Sequence, residues 1–214
     1  ATQSIGGSGV AVLRTNAGDV NVTDNRIGQV QGYGVRVANT SGVVRGSGNS
    51  VNHAGLDGIS IVGTGASVSL GANTVSNSDT NGIVVNNTTL GVEMFDNYVG
   101  FDGTTATNIG QDGIRIANTG GNVFAGGNRI GIPDGASAVL GDGLEIVSTT
   151  GNVMANSNTV GQAGNRGINV VQTGGFVDIG SSGGNVIESS GDDALRAQGT
   201  PGAVSVVGNN IGSG

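Results

Sequence analysis

Four aspartates are the residues whose type and spacing could do chemistry together: Asp102, Asp112, Asp134 and Asp142. Asp112 and Asp142 each precede a Gly and a short aliphatic run, and Asp57 does the same earlier in the chain. Carboxylates brought side by side repel unless one is protonated or a cation such as Ca²⁺ bridges them. They can also divide into the acid and base of a glycosidase. Against both stands the plainer reading that Asp-Gly is ordinary turn chemistry, repeated because the turn is repeated. Turn formation is therefore expected first. Ligand binding at Asp102, Asp112, Asp134 and Asp142, with Ca²⁺ held at Asp112 and Asp142, is the alternative. No residue is assigned a catalytic role.

Other reactive side chains are few. The chain has no Cys, and all eight of its basic residues are Arg. Without Lys, and with His53 as the single His, general-base options are thin. His53 reads as an exposed histidine at an irregular corner. A formal charge of −7 opposes phosphate backbones and anionic membranes. Neither nucleic acid nor membrane insertion is expected, since no run of 18 apolar residues is present.

The elements that must position those aspartates come from a repeat. Asn followed two residues later by Val or Ile recurs at Asn25, Asn49, Asn73, Asn97, Asn128, Asn158, Asn185 and Asn209. The intervals are 24, 24, 24, 31, 30, 27 and 24 residues. Between these markers lie short aliphatic runs opened by Gly, such as Gly58-Ile59-Ser60-Ile61, Gly82-Ile83-Val84-Val85 and Gly113-Ile114-Arg115-Ile116. A third run precedes each Asn, as in Val68/Leu70, Val92/Met94 and Val153/Ala155. Alternation of apolar and polar residues is the pattern of a half-buried strand.

These signals predict an all-β fold: a right-handed, single-stranded parallel β-helix, or solenoid, of about eight coils. Each coil has roughly 24 residues and three short strands, with coils about 4.8 Å apart and winding set by the right-handed crossover preference. The Asn column is expected to stack as an interior amide ladder, and Gly and Asn to mark corners needing positive φ. The coils opening at Asn97 and Asn128 are longer, and both insertions fall between the Asn strand and the Gly strand. On adjacent coils they should form a ridge carrying the aspartates. Arg115 should pair with Glu145, and Tyr98 should meet Arg129.

One stretch resembles a known family more closely than the rest. It runs from Asn97-Tyr98-Val99-Gly100-Phe101-Asp102-Gly103-Thr104 to Gln111-Asp112-Gly113-Ile114. Asn118-Thr119-Gly120-Gly121-Asn122 and Gly127-Asn128-Arg129-Ile130-Gly131 follow it. It is similar to the parallel β-helix repeats of bacterial surface and adhesin-like proteins. The resemblance implies the fold and a secreted or cell-surface setting. The repeat running to both ends without a capping segment adds the expectation of a non-enzymatic structural protein, either a filament subunit stacking end to end or a stalk segment of an adhesin. The alternative is a polysaccharide-binding or polysaccharide-degrading module acting at the long-loop ridge. The signatures of pectate lyases and alginate epimerases are missing, and no cofactor beyond that Ca²⁺ is implied. Residues 1–214 are expected to form one β-helix domain without evident end caps, so self-association or continuation of a longer β-helix is the expected partnership, with glycan as a second partner.

The inside–outside assignment makes a direct test. Ile83→Asp buries an unpaired charge and should cost several kcal/mol in a urea melt, about the upper range for point changes. Ser60→Asp, on the outward side of a neighbouring coil, should be nearly silent.

Overall fold

A computed structural model describes residues 4–16, 18–101, 108–131 and 139–212. It is an all-β solenoid of about eight coils, and the described residues contain no helix. Three eight-stranded parallel sheets form its walls. The first sheet runs from Val10–Leu13 to Leu195–Gln198, the second from Val20–Thr23 to Val204–Val206, and the third from Arg26–Val30 to Asn210–Ile211. Each coil contributes one strand to each sheet. Like residues therefore sit on like: Ile83 lies between Ile59 and Ile114, and Val92 between Val68 and Val123.

Alternation along each strand sends every second side chain inward. In Val92–Phe95, Val92 and Met94 are buried while Glu93 and Phe95 are exposed. The interior is filled by Val, Ile, Leu, Ala and Met94, most of them with no exposed surface. At about 25 cal/mol per Å² of apolar surface removed from water, this continuous core drives folding.

The predicted Asn ladder is present and directional. Asn73 Oδ1 accepts both the backbone N–H and the Nδ2 of Asn49, at 3.1 and 2.9 Å. Asn73 Nδ2 in turn donates to Asn97 Oδ1 at 3.0 Å and to the Gly46 carbonyl at 3.1 Å. Every hydrogen-bonding site of that amide is engaged. The same arrangement passes from Asn25 to Asn209, and the members from Asn49 to Asn185 are buried.

Two details differ from the sequence expectation. Positive φ is found at Asn39, Gly63, Asn87 and Asn118, as expected of Gly and Asn, and before most ladder Asn, as at Gly48 and Gly127 (φ 66 and 67°), but not at the ladder Asn themselves. The Gly residues opening the first-sheet strands do not have positive φ either. Their requirement is space. A Cβ on Gly143 would lie 2.6 Å from Val160 Cγ1 and 2.7 Å from the Gly167 carbonyl oxygen, so Gly lets the third sheet's side chains press against the corner. Ser60 also departs from expectation. It faces outward but keeps only 3% of its surface exposed, between Arg36 and Val84 on the flanking strands. Ser60→Asp is therefore expected to destabilise, and the exposed Asn52→Asp is the silent control for Ile83→Asp.

A second buried column was not anticipated. Thr40, Thr64, Thr88, Thr119, Thr149 and Thr173 close the first-sheet strands and are 2–4% exposed. From Thr64 onward each hydroxyl donates to the carbonyl two residues ahead, at 2.9–3.4 Å, tying the corner into the second sheet.

The ladder predicts a specific sensitivity. Asn97→Ala strips the acceptor from Asn73 N and Nδ2 and the donor from Leu70 O and Asn128 Oδ1. Each buried group left unpaired costs about 1–3 kcal/mol, so urea unfolding should show a loss of several kcal/mol. Asn97→Asp keeps an acceptor but sets a carboxylate against Asn128 Oδ1. Its deficit should shrink as pH is lowered and the carboxyl regains a proton to donate.

Candidate functional site

From Gly58 to Gly167, the residue preceding each first-sheet Gly occupies one corner column: Asp57, Asn81, Asp112, Asp142 and Arg166 follow one another coil by coil. Their side-chain oxygens are used in one consistent way. Asp57 Oδ1 accepts the Asn81 N–H at 3.2 Å, and Asn81 Oδ1 accepts that of Asp112 at 3.1 Å. Asp112 Oδ1 accepts the Asp142 N–H at 2.9 Å, and Asp142 Oδ1 accepts that of Arg166 at 3.0 Å. The column is a second Asx ladder, and it fastens the corner backbone of one coil to the next.

Asp112 and Asp142 are thus brought onto adjacent coils, as the repeat implied. Asp57 lies two coils from Asp112, with Asn81 between them. Asp102 and Asp134 lie outside the described residues. The flanks of both insertions are anchored at one place in the wall, since Ile109 bridges Ser78 and Val139, and Val139 bridges Ala163. Ile109 and Val139 are fully buried there.

Asp142 is almost wholly buried, and the protein meets both its oxygens. Oδ2 accepts Asn169 Nδ2 at 2.8 Å, and the Arg166 guanidinium stands 3.8 Å from Oδ1. Arg166 continues to Asp192 at 2.8 Å. A buried carboxylate needs such compensation. Asp112 is less well provided for. Burial raises its pKa above the ordinary carboxylate value and the charge of Asp142 raises it further, while the Asp142 N–H and Arg115 pull it down. Arg115 Nη1 lies 3.5 Å from Asp112 Oδ2 and also pairs with Glu145, as expected from their register. Arg129 stands over the Tyr98 ring at 5.8 Å, the expected cation–π contact. Arg36 makes a similar contact with Tyr33 at 4.7 Å.

His53 belongs to the strand Ser50–Ala54, in register with Gln29 and Asn77, and not to an irregular corner. It is partly exposed, with Nε2 3.9 Å from Asp79. Asn169 and Arg166 escaped the sequence reading, although both occupy positions already defined by the repeat. The described residues contain no group of three or more His, Asp or Glu side chains that could hold a metal ion. What the column does visibly is hold backbone. No protein-family model, curated protein or solved structure matches the chain.

Asp112 carries a pH signature. Its folded-state pKa is raised, so between 3.8 and that raised value the folded state binds more protons than the unfolded one. Stability contributed by this group is greatest at low pH and falls as pH rises through the window. Asp112→Asn keeps the acceptor for Asp142 N–H, as Asn81 does one coil earlier. The variant should lose this fall, and the difference between the two urea-derived stability–pH curves isolates it.

Proposed function

We propose that this chain is a non-enzymatic structural rod of the cell surface or extracellular space, serving as a filament subunit or as a stalk segment of an adhesin. The observation that carries the reading is the unbroken register of three parallel ladders through eight coils. Such a wall grows by addition of identical steps, each contacting only its neighbours, which suits a spacer of fixed length.

The end coils are where such a rod would be extended. At one end Ile5 and Leu13 are more than half exposed. At the other, Val204, Val206, Val207 and Ile211 expose 47–57% of their surface. Among the described residues, the end strands of the first two sheets have one unpaired edge, while Ile5 bridges the outer edge of Arg26–Val30 in the third. Apolar surface and open strand edges favour cover by another parallel coil. A further coil of a longer parent chain and a second copy stacked head to tail supply the same chemistry, and either extends the rod. The engagement of Asp112 and Asp142 by amides of the next coil fits a structural role for the long-coil corner better than hydrolysis of a polysaccharide there.

Negative-stain microscopy over a concentration series provides the test. Filaments one rod wide should lengthen with concentration, and Val206→Asp, which charges an exposed end position, should shorten them. A monodisperse monomer that releases reducing or unsaturated sugar from a glycan panel would replace this reading with the enzymatic one.

A further inference from the structure

The outer face of the second sheet and its margin carry three of the four Phe in a chain that is otherwise poor in rings. Of the four Phe, Phe95 and Phe124 project from this sheet and Phe176 immediately precedes one of its strands. Phe95 and Phe176 are each 40% exposed. Phe124 lies beside Glu93 on the adjacent strand, and the Phe95 ring lies against Gly126, so both rings stand on the same outer face.

Beside Phe124 is a cleft of about 350 Å³, within the range of small-ligand sites. Its floor is low because Ser67, Ser69 and Gly91 occupy positions that carry Arg45 and Val43 one coil away, and Glu93, Asn122 and Phe124 on the other side. Arg45 bounds the far side and is tied to Asp19 at 2.7 Å. Asn122, which lines the cleft, spends its Oδ1 on the Asn152 N–H and keeps its Nδ2 as a donor not used by the fold. Among the described residues, the side chains of Glu93, Ser67 and Ser69 have no hydrogen-bond partner. This contrasts with the two Asx ladders, where side-chain oxygens are consumed by the fold.

We propose that this face binds a neutral oligosaccharide. An exposed aromatic face is negative and attracts the polarised C–H face of a sugar ring. Free carboxylate, hydroxyl and amide groups alongside it match the donors and acceptors of ring hydroxyls. Three ladder steps separate the strand of Arg45 from that of Phe124, a length of about 14 Å that accommodates more than one ring. Unpaired Glu93 and the net charge of −7 turn away acidic polymers. The site lies on the side wall, apart from the rod ends and the Asx column, so it stands whichever way the rod is extended.

The absence of Trp from the chain makes a clean reporter available through Phe124→Trp. Titration of that variant with cellohexaose, maltohexaose and N-acetylchitohexaose should give a saturable change in indole emission with at least one of them, and none with oligogalacturonate. The same sugar should shift the Ser69, Glu93 and Asn122 amide signals of the unsubstituted protein. Glu93→Gln should weaken binding roughly ten-fold, the loss expected when a hydrogen bond to a charged group is removed. No response to all three neutral sugars at millimolar concentration overturns the proposal. So does binding that Glu93→Gln and Phe124→Ala leave unchanged while their circular dichroism stays native.

Discussion

Everything in this structure depends on a constraint placed on buried amides. A carboxamide inside an apolar wall must find partners for two donors and two acceptor lone pairs, and leaving them unmade costs more than making them gains. The Asn column meets that requirement in one way only, by stacking one coil directly upon the next. A slip of one residue would turn these amides outward, expose the Val and Ile columns, and orphan Gly46, Leu70 and Met94 carbonyls at once. Burial supplies the driving force; the amides supply the register.

That division explains how the solenoid tolerates coils of unequal length. The intervals around Asn128 are 31 and 30 residues, yet its amide bonds to Asn97 and Asn158 at 3.0 and 2.9 Å, as in the 24-residue coils. After both longer intervals the wall is in register at Ile109 and Val139, which bridge to each other and fill the same core column. The wall is conserved in geometry while its corner is free to vary. Surface ion pairs such as Arg45–Asp19 add little beside this, since exposed pairs contribute about 0–1 kcal/mol.

Side chains here divide into those spent on the fold and those left over. The Asn and Asx columns, and the Thr column from Thr64 onward, use their side-chain oxygens within the wall, and the Gly column lets neighbours approach. The outer face of the second sheet is different. Its Phe rings, Glu93 and serines are not needed for register or packing, and they are what the rod presents laterally to its surroundings.

The sequence by itself determined the fold, the three strands per coil, the Asn ladder and the pairing of Arg115 with Glu145 and of Tyr98 with Arg129. These are legible because a parallel solenoid maps sequence period directly onto space: residues one coil apart become neighbours. The same logic would have exposed the Thr column, whose members recur at Thr40, Thr64, Thr88, Thr119, Thr149 and Thr173, had small polar residues been tracked as closely as Asn. Only the tertiary structure decided how each position is used. Ser60 is outward yet covered because Arg36 and Val84 flank it, and the Gly column answers to crowding by the third sheet, not to φ. Asp112 and Asp142 became backbone fasteners, and Phe124 came to stand beside Glu93 on the adjacent strand. Such outcomes depend on which side chains converge from different sheets and on what covers an outward residue, and a one-dimensional period carries no record of either.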